Sequence, residues 1–151
     1  GIEDALLKRL RKTYTRVSAE RIVAGPGIVA IYETLADMEG RSVVLRDDKA
    51  IWTAALEGTD SIANAALDRF CLALGAVAGD LALAHGAKGV VIAGGLGLRI
   101  KDKLLRSGFD QRFVAKGRFQ QMMAKLPVKL ITHPQPGLFG AAAAFAQEHA
   151  R

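Results

Sequence analysis

The stretch Val90-Val91-Ile92-Ala93-Gly94-Gly95-Leu96-Gly97 constrains the fold more than any other. Its three adjacent β-branched residues read as a short buried strand, apolar on both faces. Glycine then occupies three of four consecutive positions. With no Cβ in the way, backbone at that turn can approach a ligand closely. Apolar residues resume at helical spacing from Leu98 to Leu105, so the turn opens a helix. Strand-to-helix turns of this kind commonly face phosphate, ribose or base, because N–H groups at a helix start are free. The spacing is G-G-x-G, not the dinucleotide G-x-G-x-x-G, and no G-x-x-x-x-G-K-[ST] occurs. A tight turn with no ligand accounts for the stretch equally well.

Arg21-Ile22-Val23-Ala24 reads as a second short strand, broken by Gly25-Pro26-Gly27. Pro26 suits the start of a helix from Gly27 to Met38. Two strand–glycine–helix units imply an α/β sheet with ligand-facing loops at its strand ends. Around them the spacing predicts helices. Ile2, Leu6, Leu7 and Leu10 share one face. Asp47 or Asp48 caps a helix through Leu56, with Trp52 on its packing side, and Gly58 ends it. The longest element runs from about Ser61 to His85, capped by Thr59 or Asp60. Glycine inside a helix costs about 1 kcal/mol against alanine. Gly75 and Gly79 in that element therefore imply that another backbone packs closely against it. Leu98 to Arg106 reads as one helical piece, and Phe119, Met122 and Met123 as apolar positions of another. Pro127 to His133 reads as a strand, and Gly137 onward as an alanine-rich helix whose small residues imply close approach.

With 151 residues, the chain is long enough for one domain with a real core. Its net charge of +6 admits nucleic acid, anionic surfaces or phosphorylated small molecules as partners. The basic residues are interleaved with apolar helix positions, so they read as solvated faces and no nucleic-acid partner is expected. No apolar run approaches the roughly 20 residues of a membrane helix, and no signal peptide is visible. The lone Cys71 suits a reducing, cytoplasmic setting. His85, His133 and His149 lie far apart, so no metal site is assigned. Taken alone, Glu20 reads as a surface carboxylate. Asp80 is either exposed or a paired buried charge.

Several segments in order carry a family resemblance. They are Val17-Ser18-Ala19-Glu20-Arg21, Gly25-Pro26-Gly27, Gly79-Asp80-Leu81-Ala82-Leu83, Ile92-Ala93-Gly94-Gly95, Ser107-Gly108-Phe109, Lys116-Gly117-Arg118-Phe119 and Pro136-Gly137-Leu138-Phe139-Gly140-Ala141. Together they resemble the C-terminal half of bacterial glucokinase, in the hexokinase/actin-like ATPase superfamily. The resemblance implies an α/β fold: the large domain of a two-domain sugar kinase, of the ribonuclease-H-like, actin-like ATPase type, with an incomplete sheet and packed helices. On this basis residues 1–136 are the large-domain portion, and residues 137–151 are a helix returning toward a small domain. The implied activity is ATP-dependent phosphorylation of glucose to glucose 6-phosphate, a glycolytic step, with ATP and Mg²⁺ as cofactors. A homodimer is within what the resemblance allows.

Residue by residue, the family's sugar-binding glutamate matches Glu20. Its adenosine-binding glycines match Gly94 and Gly95, with Gly97 as their neighbour. Gly25 and Gly27 lie beside the same cleft by analogy and are counted with the nucleotide-binding glycines. Three family features find no match: the first phosphate loop, the Asn-Asp pair that supplies the base, and the Glu-Gly-Gly-His segment. No catalytic residue is therefore assigned within these residues. The isolated chain is expected to be inactive, as one part of a longer enzyme. The alternatives are a non-catalytic nucleotide-binding or assembly domain of the same fold, a dinucleotide-binding module and a nucleic-acid-binding domain. A dinucleotide module would need an acidic residue about 20 positions past Gly95, after a second parallel strand. Asp110 is too near and lies between helices.

Overall fold

Helix α5, Ser61–Ala84, is the axis on which the other elements pack. The computed structural model describes residues 1–150. In chain order they form α1 (Ile2–Thr13), α2 (Glu20–Val23), α3 (Gly27–Met38), α4 (Asp48–Glu57) and α5, then β1 (Val90–Ile92). There follow α6 (Gly95–Arg99), α7 (Lys101–Arg106), α8 (Phe109–Val114), a 3-10 turn (Gly117–Phe119), α9 (Gln120–Met123), β2 (Val128–Leu130) and α10 (Pro136–His149).

Local chemistry sets the ends of the helices. The Asp47 side chain accepts from the Ala50 amide at 2.8 Å, and Asp60 accepts from the Ala63 amide at 2.7 Å. Each satisfies an amide that has no partner within its own helix. Gly58 ends α4 at φ 75°, where a side chain would be strained. In α1, Glu3 and Asp4 stand at the start and Arg11 and Lys12 at the end, complementing the helix dipole.

The core lies between α3, α4, α5 and α8. Ile28, Ile31 and Tyr32 of α3 meet Ile62, Leu67 and Phe70 of α5, all essentially without solvent contact. The Trp52 ring of α4 stands edge-on to Phe70, with centroids 5.0 Å apart. On the other side of α5, Gly75 and Gly79 allow α8 to close in. A Cβ at Gly75 would overlap the Phe109 carbonyl, and one at Gly79 the Phe113 carbonyl. The close packing expected from those two glycines is therefore present. Lys116 fastens the same contact: its ammonium lies 2.7 Å from Asp80 and donates to the Ala76 carbonyl at 3.0 Å. Asp80 is exposed, and its partner Lys116 is nearly buried.

The chain is α/β, mostly helical, with a small parallel sheet of two strands. Val90 pairs with Val128, Val91 with Lys129 and Ile92 with Leu130. Three expectations from the sequence change here. First, residues 21–24 do not form a strand; they lie in the one-turn helix α2 and its C-cap. The Ile22 and Val23 amides both bond back to the Ala19 carbonyl, so the segment satisfies its own backbone and needs no strand partner. Second, Leu98 to Arg106 is two helices, α6 and α7, broken at Ile100, whose ψ of 6° leaves the helical range. Third, β2 spans only three residues, although the Pro127 carbonyl and the Ile131 amide on either side of it still bond Val90 and Ile92 of β1. Helix α10 has no buried residue, so the close approach expected of its small side chains is not made to another described element.

Candidate functional site

Glu20 is the first residue of α2 and is exposed. Among the described residues its carboxylate makes no hydrogen bond and no ion pair, so both oxygens are available. It lines a cleft of about 570 Å³ together with Arg9, Tyr14, Arg21, Gly27 and Glu33. The other charged groups of this cleft are already engaged. Arg9 bonds Glu33 at 3.0 Å and also pairs with Asp37. The Arg21 guanidinium lies over the Tyr14 ring, 4.1 Å from its centroid. Glu20 is thus the one charged side chain among these that is left to accept hydrogen bonds from a ligand.

The turn behind Glu20 is tightly held. A Cβ at Gly27 would overlap the Ile22 carbonyl, so glycine is required for α3 to leave α2 at this angle. Gly25 has open space around it. Its carbonyl accepts from the Trp52 indole N–H at 2.9 Å. The next residue on α4, Thr53, accepts from Arg99 at the end of α6 at 3.4 Å.

The other glycine group follows β1. Gly94 has φ 111°, a conformation that side chains rarely adopt, and a Cβ there would meet nothing within 4 Å. Gly95 is equally open, and both are exposed. Gly97 differs: it is buried in α6, and a Cβ would stand 3.1 Å from Leu130 and 3.2 Å from Ile92. It lets α6 lie down on the sheet. The cleft lined by Glu20 and Gly27 does not include Gly94 or Gly95. Helix α4 is what joins the two groups, through Trp52 on one side and Thr53 on the other.

The Gly94–Gly95 backbone is bare and reachable. A divalent ion does not find a set of ligands: among the described residues no three His, Cys, Asp or Glu side chains are grouped to hold one. No described helix is long and apolar enough to cross a membrane.

Sequence reading alone placed Trp52 on a packing face and missed its bond to Gly25. An indole N–H on an otherwise apolar face must find an acceptor when buried, and that was the available signal.

The glucokinase family profile matches residues 2–148. The glucokinase of Zymomonas mobilis is 62% identical over 148 residues, covering 98% of this chain and 46% of that protein. The glucokinase of Psychromonas ingrahamii is 44% identical, with 93% of this chain and 44% of the relative covered. The crystal structure of a glucokinase from an Antarctic psychrotroph superposes with a TM-score of 0.86 at 39% identity, over 97% of this chain and 46% of that one. The chain therefore spans about half the length of the relatives it matches. With the ordered motifs, the helical scaffold and the profile in agreement over nearly every residue, the chain belongs to the glucokinase family.

Proposed function

We propose that this chain is the nucleotide-side half of a kinase that transfers the terminal phosphoryl group of ATP to the 6-hydroxyl of glucose. The fold of the whole is then a two-domain sugar kinase of the actin-like ATPase type, working in the cytoplasm. Residues 1–136 contribute to its large domain. Helix α10, which covers most of residues 137–151, packs on the small domain.

Glu20 is the sugar clamp in this reading. A carboxylate only accepts hydrogen bonds, so one group can hold two neighbouring hydroxyls. Gly94 and Gly95 form the bare backbone against which adenosine lies. Gly27 and Gly97 act from behind, by allowing the helices that carry these surfaces to close on their neighbours, and Gly25 acts through the carbonyl that Trp52 holds. Phosphoryl transfer depends on alignment and charge neutralisation rather than on covalent help from the protein. The base that takes the hydroxyl proton and the groups that neutralise the phosphates lie outside these residues. Mg²⁺ belongs with those groups, because the described residues offer it no ligand cluster. Closure of the two domains excludes water from the transferring group.

The observation that carries the reading is the unpartnered carboxylate of Glu20 on its cleft, within a segment matching the family's sugar-binding motif. Its test is steady-state kinetics. The full-length enzyme phosphorylates glucose with ATP, and the 151-residue chain alone gives no turnover. Glu20→Gln in the full-length enzyme raises KM for glucose about 10- to 100-fold, as expected for losing hydrogen bonds to a charged group. An unchanged KM, or full turnover by the isolated chain, would overturn the reading.

A further inference from the structure

We propose that Trp52 is a positioning residue for Glu20: its indole N–H sets the angle at which α2 presents the carboxylate. The inference rests on the reading of Glu20 as the sugar clamp.

Helix α2 is four residues long. A single turn does not hold itself together, because too few hydrogen bonds repay the fixed dihedrals. Inside it, the Val23 amide bonds the Ala19 carbonyl at 3.0 Å and the Ala24 amide bonds the Glu20 carbonyl at 3.0 Å. The orientation of the turn must come from what it is attached to. Its exit is pinned at three places, the first being local: the Gly27 amide donates to the Ala24 carbonyl at 2.8 Å. Gly27 lies against the Ile22 carbonyl with no room for a Cβ. Gly25 accepts from Trp52 at 2.9 Å. A second amide, that of Ile28, reaches the same carbonyl only at 3.5 Å, the long limit of a hydrogen bond.

Trp52 is a firm anchor. It is 2% exposed, its ring is fixed edge-on to Phe70, and α4 is capped at both ends by Asp47 and Gly58. The position of the donor is therefore set by the core, not by the loop. Glu20 has no protein partner of its own, so only its backbone aims it. Rolling α2 so as to swing Glu20 would require breaking the Trp52–Gly25 bond, breaking the Gly27–Ala24 backbone bond or lifting Gly27 off Ile22. Losing the indole N–H leaves a carbonyl at the exit of α2 without its short partner, and the turn gains freedom.

The test replaces Trp52 in the full-length enzyme with its benzothiophene analogue, which keeps the shape and loses the N–H, and separately with Phe. KM for glucose is expected to rise about tenfold, with kcat and KM for ATP within about twofold. Ile51→Val, on the same helix and fully buried, is expected to lower Tm without moving KM for glucose. In the 151-residue chain, amide exchange at Val23 and Ala24 should quicken about tenfold in the Trp52 variants while the α5 amides keep their rates. Glu20→Gln is measured alongside. If it raises KM and the Trp52 variants do not, the positioning role falls and the sugar reading stands. If neither raises KM, the sugar reading falls and takes this proposal with it. Unchanged exchange at Val23 and Ala24 overturns the proposal whatever the kinetics show.

Discussion

Cys71 has no exposed surface on α5, and burial pushes its thiol up to about 11 from the ordinary 9.0; a bond with Ser107 acts the other way, and the charge of Asp68 adds to the rise. A thiol with a raised pKa stabilises the fold only while it stays neutral in both states. That contribution is complete below pH 9 and is lost as pH rises toward 11. Between those values the unfolded chain releases a proton that the folded chain retains. The urea midpoint of the native chain should fall more steeply from pH 9 to pH 11 than that of Cys71→Ala. Parallel pH profiles for the two proteins would show that the thiol stays neutral in neither or both states. At this scale the sequence was informative where one residue type has one use. Cys71 stands amid apolar helix positions, where a thiol packs as a small hydrophobe, and it is buried there. Trp52 has two uses, apolar bulk and a single donor, and only the position of the Gly25 carbonyl shows that the second matters.

Helices α5 and α8 meet through glycine, and the consequence is measurable. In an open helix Gly→Ala gains about 1 kcal/mol. At Gly79 the new methyl would overlap the Phe113 carbonyl and come 2.7 Å from the Lys116 side chain. The lysine can give way, but the backbone of α8 cannot without moving the helix. Overpacking of this kind costs typically 1–3 kcal/mol, so Gly79→Ala should lower stability by roughly 0–2 kcal/mol net. Chemical denaturation measures it, and a stabilised variant would mean that α8 is not seated as described. The glycines announced a close neighbour but could not say which, since the contact spans thirty-four residues of chain from Gly79 to Phe113. Helix α2 failed for the opposite reason. Ile22 and Val23 favour a strand locally, yet a strand needs a partner, and in this fold the segment lies against α3 and α5 instead.

For the whole molecule, the main observation is what stays uncovered. Helix α10 carries Leu138, Phe139 and Phe145, each more than 60% exposed. The sheet leaves Val91 62% exposed, although parallel strands are ordinarily covered on both faces. The proposed kinase accounts for both surfaces by placing them against its remaining half. It follows that α10 contributes little to the stability of the 151-residue chain itself. Removing residues 137–151 should leave the unfolding free energy of the rest within about 0.5 kcal/mol, as for changes at exposed sites. In the full-length enzyme the same deletion should abolish turnover. A large loss of stability in the isolated chain would show that α10 packs on this half after all.

Periodicity, caps and glycine spacing determined the helices α1, α3, α4 and α5, the strand before Gly94, and the family itself through its ordered motifs. These are short-range properties: a helix face, a cap or a left-handed turn is decided by residues within a few positions of one another. Tertiary structure alone decided that residues 21–24 coil into a turn, that Gly97 packs while Gly94 and Gly95 stay open, and that Trp52 reaches back to Gly25. Each of those depends on a neighbour brought from far along the chain, and a neighbour's position is a property of the packed molecule.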